Sequence, residues 1–463
     1  MGIYGAINSA VSGLAAQATA LENISGNVAN SQTTGYKRLD TTFSDLVSGG
    51  GAKQAQQVSG TTFATSRATN TVQGDITSVD VDTYMAINGA GYFVVTKASD
   101  VVDGSTTFAD ETYYTRAGDF ERDKEGYLIN SSGYYLQGFP LDPNTGNAIG
   151  DNPAVIQIEN QPLAASATTT VDYQANLPRV PATTDYDGTD ETTALLNASV
   201  GAGNVAVADE TDFLNSSISG GSTTIYNQNG TAMNVEIRYA KTANYDAGPP
   251  IVEDAWSMYI GTGGDATDAW YDVGTVQFDD TGEMTTLTAG AMAGSAVNGT
   301  GDGFTISSLT IGGTTATDVE FSFADGSLTQ YSDKDGRASS VSLDPDGYPA
   351  GELIGVAVDA SGRVIASYSN NQQRPVYQIP LATFEAEQDL QRVDGAAFAA
   401  TAGSGDADLS GGGQILAKKL ELSNADIADE FSKLIITQQA YSANSRIVTS
   451  ADEMLDDALN MVR

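Results

Sequence analysis

The chain has 463 residues, with 59 Asp and Glu against 21 Lys and Arg for a formal net charge of −38, and contains neither cysteine nor histidine. A field of that sign repels phosphate backbones and anionic lipid, which argues against nucleic acid as a partner. The missing residues remove disulfides, thiol nucleophiles, imidazole bases and the usual zinc ligands. No stretch approaches the roughly 20 apolar residues of a membrane span, so no membrane insertion is expected, and the length suggests roughly two to four domains.

The opening segment, MGIYGAINSAVSGLAAQATALENISGNVAN, has no basic leader and no dense apolar block, so it does not read as a cleavable secretory signal. A Gly-rich, acidic, Cys-free composition nevertheless suits a protein that works outside the cell, and export without a cleaved leader is the resulting expectation. Ile7, Leu14, Leu21 and Val28 recur every seven residues, with Val11, Ala18 and Ser25 four places after the first three. This is one narrow face of a helix, rich in small residues. Residues 31–75 read as a connecting segment, and its SGGGAKQAQQVSG stretch (48–60) as a joint.

The interior is rich in Gly, Thr, Ser and Asp and carries short alternating runs. Val235, Ile237 and Tyr239 fall on one strand face just after the hairpin signal Asn229-Gly230. The pieces DKEG, DDTG, DKDG and DPDG invite a calcium reading, but none has the glycine and glutamate positions of a helix-loop-helix calcium loop. They read as turns. A second Gly-rich stretch, TAGSGDADLSGGGQ (401–414), is the other joint.

At the far end Leu420, Ile427, Leu434, Tyr441, Val448, Leu455 and Val462 are all seven apart. Their companions are mixed, with Phe431 and Leu459 apolar but Asn424, Gln438, Ser445 and Asp452 polar. Helices of about 28 and about 43 residues would be about 42 and 65 Å long at 1.5 Å per residue, too long to hide behind Gly-rich linkers. Pairing the two ends covers only part of each apolar row, and a homopolymer of side-by-side helices would cover the rest. Packing as ordinary amphipathic helices on the chain's own β interior remains the alternative at this point.

The run NVANSQTTGYKR (27–38), continued upstream by AVSGLAAQATALENISGNVAN, resembles the N-terminal signature of bacterial flagellar axial proteins, the rod, hook and hook-associated subunits. LELSNADIADEFSKLIITQQAYSANSRIVTSADEMLDDALNMV, with Gln438, Tyr441 and Asn444, is similar to that family's C-terminal helix. MAINGAGYFVV (85–95), YTRAGDFERDKEGYLINSSGYYLQGFP (114–140) and the stretch 344–384 resemble its inner β domain; the region between about 146 and 335 matches weakly. An insertion of nearly 200 residues there favours the hook branch over the rod branch, with a distal rod subunit carrying an enlarged outer domain as the alternative.

The resemblance implies an α+β multidomain fold: long N- and C-terminal helices pairing as a coiled-coil-like inner domain, with mainly antiparallel β inner and outer domains. The expected division is 1–30 with 415–463 as the helical assembly domain, 31–75 as connector, 76–145 with 336–414 as the inner β domain, and 146–335 as the variable outer β domain. It further implies a curved tubular homopolymer that transmits torque as a universal joint, without catalysis, cofactor or metal. The implied partners are further copies of itself, the hook cap protein, the distal rod protein, the hook-filament junction protein and the flagellar export apparatus, and the implied place is outside the cell.

At the helix exit, Gly35 can adopt the left-handed conformation that stops a helix while Asn30, Ser31, Thr33 and Thr34 satisfy loose backbone groups. A generic helix C-terminus would look the same. Tyr36, Lys37 and Arg38 are expected to brace the exit against neighbouring subunits. An acidic β-rich adhesin or surface-layer protein with calcium at Asp333 and Asp335 is the reading from a different class, and a carboxylate-based glycosidase a more remote one.

Overall fold

A computed structural model describes residues 3–45, 61–102, 105–143, 145–248, 250–265, 267–292, 294–324 and 326–461. The 48–60 joint and Val462 lie outside the described residues. The fold is mostly β, built mainly of antiparallel sheets, with a helix at each terminus: α1 (Ile3–Ala29), the short α2 (Glu210–Asn215) and α3 (Ile427–Met461). The chain forms two compact units, one of Met1–Gln161, Leu353–Tyr368 and Gln372–Arg463, the other of Pro162–Glu352 and Ser369–Asn371.

In the first unit α1 and α3 lie side by side and antiparallel. Asn27 Nδ2 donates to Glu430 Oε2 at 3.0 Å near one end, and Gly13 faces Asn444 further along, where a β-carbon would come within 2.9 Å of the Asn444 amide nitrogen. The span expected to be a connector instead forms an antiparallel ribbon, β1 (Leu39–Asp45) with β2 (Thr62–Ala68), in register from Leu39↔Ala68 to Asp45↔Thr62. Its polar residues hold it to α1: Asn23 Nδ2 donates to Thr41 Oγ1 at 2.8 Å and to Ser66 Oγ at 2.9 Å.

One expectation for the helices is corrected. The C-terminal helix begins at Ile427, because the Asp426 carboxylate accepts from the backbone N–H of Ala428 at 2.7 Å and of Asp429 at 3.1 Å and so caps it there. Leu420 therefore lies in a strand, Lys419–Glu421, which pairs with Ile76–Ser78. Within the single chain the seven-spaced apolar rows are covered only in part. The residues sealed on α1 are Ala10, Ala16, Ala20, Asn23, Ile24 and Asn27, and on α3 Glu430, Thr437 and Ala451, while Ile7, Leu14, Leu21, Val28, Leu434, Val448 and Leu455 are only half-buried. Small residues allow the helix axes to approach closely. Polar ones anchor the ribbon and α3, so the larger apolar residues are left on the flanks.

The body of this unit is a 12-stranded sheet whose main path runs from Leu353–Val358 through Tyr134–Pro140, Tyr92–Val102 and Ser105–Thr115 to Gln391–Val393. The strand alternation puts Phe93 and Val95 into one core with Phe120, Leu136 and Val364, and Tyr92 and Val94 into another with Tyr114, Phe384 and Phe398.

The second unit contains two six-stranded sheets that share one core, including Tyr173, Ile237, Trp256, Phe304 and Phe321. Val235, Ile237 and Tyr239 point together into it, and Gly230 turns the preceding hairpin with φ of 75°. This unit is displaced toward the C-terminus relative to the 146–335 outer domain expected from sequence. The strand Ser339–Pro345 pairs with Thr170–Asn176, which keeps residues up to Glu352 with the second unit, while residues up to Gln161 stay with the first. Leu163 and Gly351 exchange both backbone hydrogen bonds, at 2.7 and 3.0 Å, near its first and last residues.

Candidate assembly surface and the helix-exit junction

The run that follows α1 closes the helix with its own polar groups. Asn30 donates from its backbone and its amide to Gly26 O at 3.2 and 2.9 Å, Ser31 Oγ donates to Val28 O at 2.9 Å, and Thr33 Oγ1 to Asn30 Oδ1 at 3.2 Å. Thr34 is half-buried beside them. Gly35 then turns the chain with φ of +68°. A β-carbon here would lie 2.4 Å from Ala117 N and 2.6 Å from the Arg116 carbonyl carbon, so the position needs glycine for both conformation and space.

Beyond Gly35 the chain enters a sealed charge cluster. Lys37, 1% exposed, places Nζ 2.5 Å from Glu421 Oε1 and 2.7 Å from Val72 O. Arg116 meets the other oxygen of Glu421 at 3.2 Å, donates to Gly89 O at 2.7 Å and stacks 5.3 Å from the Tyr92 ring. Gly35 N–H donates to Glu421 O at 2.9 Å and Gly74 N–H to Glu421 Oε1 at 2.9 Å. Burial pushes the Lys37 ammonium below its ordinary range, opposed by the attraction of Glu421.

Asn424 completes the junction. Its Oδ1 accepts from Arg38 N–H at 2.7 Å, and its amide donates to Thr69 Oγ1 and Val72 O, both at 3.1 Å. The guanidinium of Arg392 lies 4.3 Å over the Tyr36 ring. Tyr36 and Lys37 therefore brace the exit against this chain's own C-terminal strand and β body. Their burial leaves no surface for the neighbouring subunit expected from sequence, and only Arg38 stays half-open.

The structure separates that junction from the uncovered apolar surface of the helices. Val11 on α1 and Ile427, Phe431 and Tyr441 on α3 are exposed. Leu459 lies within α3, although its side chain is outside the described residues. The seven-spaced rows missed the most open positions: Tyr4 (77% exposed), Ile436 (67%) and Met454 (60%), with Ile435 and Ile447. Ile436, Ile447 and Met454 lie on one flank of α3, 11 and seven residues apart, a signal present in the sequence but offset from the longer heptad row.

The Asp-x-x-Gly pieces are turns in the structure. Asp279 Oδ1 accepts from the N–H of Thr281 and Glu283 at 2.9 and 3.0 Å, and Asp333 Oδ1 from that of Asp335 at 2.8 Å. Among the described residues no group of acidic side chains is placed to hold a metal ion, and no helix is long and apolar enough to cross a membrane.

Family models for flagellar axial components match in chain order: flagella basal body rod protein at 7–37, flagellar hook protein FlgE/F/G D1 domain at 86–174, flagellar basal body protein FlaE D2 domain at 196–348, and flagellar basal body rod FlgEFG protein C-terminal at 417–461. Two terminal helices around a β body, with these matches along them, define an axial component of the bacterial flagellum. The flagellar hook protein FlgE of Brucella suis biovar 1 is 30% identical over 476 aligned residues, covering 100% of both chains. That of Salmonella typhimurium is 30% identical over 463 residues, 98% of each, and that of Escherichia coli K12 is 28% identical over 468 residues, 98% of this chain and 100% of its own. The chain belongs to the flagellar hook protein family. A crystal structure of Helicobacter pylori flagellar hook protein FlgE2 aligns with 74% of this chain and 100% of its own at 16% identity and a TM-score of 0.49.

Proposed function

We propose that this chain, a structural subunit of the flagellar hook, polymerises through its terminal helices into a curved tube that carries torque from rod to filament while bending. The observation that supports the reading is apolar surface on α1 and α3 that the chain itself does not cover, above all Tyr4, Ile436, Ile447 and Met454. Further copies would bury it, with α1 and α3 lining the tube as a coiled-coil-like layer and the β units forming the rest of the wall. Val11, Ile427, Phe431 and Tyr441 would join that contact, and the half-buried Ile7, Leu14, Leu21, Val28, Leu434, Val448 and Leu455 would be sealed by it. Leu459 and Val462 would extend it at the helix end.

In this role the subunit is exported by the flagellar apparatus without cleavage and works outside the cell. It meets the hook cap protein during growth, the distal rod protein at one end of the tube and the hook-filament junction protein at the other. The function is mechanical and calls for no catalytic group, metal or cofactor.

Electron microscopy of the purified chain against the full-length double variant Ile436→Glu, Met454→Glu tests the proposal. The expected result is curved tubes from the parent and none from the variant, with the two proteins melting alike because both residues are exposed. Tubes of normal yield from the variant would refute the role given to this face.

A further inference from the structure

We infer that a basic groove beside the helix exit receives the acidic end of α3 from a second copy of the chain, a head-to-tail contact that rests on the self-assembly reading above. The groove, about 550 Å³, lies between α1, β1 and the first turns of α3. Its lining takes in β1 from Leu39 to Phe43 and the three cations Arg38, Arg67 and Lys433, with Arg67 of β2 opposite Asp40. On a chain of net charge −38 that concentration of cations is unusual, and its neutralisation within the chain is incomplete. Asp40 is shared at 3.5 Å between Arg38 Nε and Lys433 Nζ, and Glu430, 2.8 Å from Lys433, also accepts from Asn27. Arg38 Nε is buried without a hydrogen bond, and Arg67 is exposed without an ion pair among the described residues.

The complement is on the same helix. Asp452, Glu453, Asp456 and Asp457 are exposed near the end of α3, none in an ion pair among the described residues, and no basic residue stands in the last turn. Carboxylates at a helix C-terminus oppose the macrodipole, and the pairs 452/456 and 453/457 repel each other at one-turn spacing. Among the described residues no cation offsets this arrangement.

Lys433 and Asp452 are 19 residues apart on a straight helix, about 28 Å, well beyond both side-chain reach and the Debye length of about 8–10 Å. The two ends therefore cannot satisfy each other within one molecule, but copies stacked end over end bring them together. Complementary patches at opposite ends of one element make a heterologous interface, the kind that propagates as an open helix.

Charge reversal in the full-length chain tests the contact. The groove variant Arg67→Glu, Lys433→Glu and the helix-end variant Asp456→Lys, Asp457→Lys should each raise the critical concentration for tube formation by roughly tenfold or more. An equimolar mixture of the two should restore tubes, because each variant's helix end then fits the other's groove. Normal assembly of either variant alone overturns the inference. So does a mixture that stays unassembled although both proteins melt as the parent does, or rescue found only when all four substitutions are in one chain, which would place the pairing inside the molecule. If Lys433→Glu lowers the melting temperature, the pair Arg67→Glu and Asp456→Lys gives the same test with exposed residues alone. A parent chain that forms no polymer under any condition defeats the self-assembly reading itself and this contact with it.

Discussion

Glu421 and Lys37, 384 positions apart in the sequence, meet in an ion pair of 2.5 Å from which solvent is excluded. One carboxylate thereby ties the exit of the first helix, the approach to the last and, through Arg116, the β body. Removing one partner from such a pair leaves uncompensated charge in the interior, which costs roughly 3–5 kcal/mol. Glu421→Gln should lower the stability of the chain by that order in a denaturant titration. Lys418→Gln, which removes only the exposed pair with Asp82, should leave the midpoint nearly unchanged.

Gly35 is required for two separable reasons. Gly35→Ala incurs both the left-handed backbone penalty of roughly 1–2 kcal/mol and a collision with the Arg116–Ala117 peptide. Asparagine tolerates the backbone conformation but not the collision, so Gly35→Asn should be nearly as damaging as Gly35→Ala. At Gly133, with φ of +82°, an added β-carbon would meet no atom within 4 Å, so Gly133→Ala gives the comparison in which only the backbone penalty applies. Thermal melting of the three variants, followed by microscopy of their polymers, checks the ordering.

Asp272 in the second unit is half-buried, its Oδ1 is sealed from solvent and accepts no hydrogen bond, and desolvation raises its carboxyl above the ordinary value of 3.8. A carboxyl whose folded pKa is raised contributes stability that is fully present below the unfolded value and is lost as pH rises through the folded one. At neutral pH the charged form is therefore a liability, and Asp272→Asn should be the more stable protein. Its advantage should shrink as pH falls from the raised value toward 3.8, which paired melting curves across that range would reveal.

Subunits of charge −38 repel one another over long distances, so added salt should promote polymerisation by screening that repulsion. Close contacts in a desolvated groove are screened much less. Light scattering at increasing salt should show faster growth; a flat series would contradict the expected excess of acid on outward faces.

The terminal helices, the hairpin at Asn229-Gly230 and the special place of Gly35 were legible because each depends on local periodicity or backbone geometry. The face on which the helices pack was not. Seven-residue spacing identifies an apolar row, but the packed seam uses Ala20, Asn27, Glu430 and Thr437, whose burial depends on a ribbon and a partner helix hundreds of residues away. The start of α3 was misplaced for a similar reason: Leu420 continues the heptad in sequence, yet a strand pairing with Thr77 and the cap at Asp426 override it. The ion cluster was beyond reach from sequence, since nothing near Lys37 announces Glu421 or Arg116.

The clasp between Leu163 and Gly351 has a consequence for how such a chain can change. Because the two ends of this stretch are held to each other, its interior can be lengthened, shortened or replaced while its points of entry and exit stay paired. The same clasp is where a foreign domain could be spliced in, turning each subunit into a carrier repeated along the whole length of a fibre.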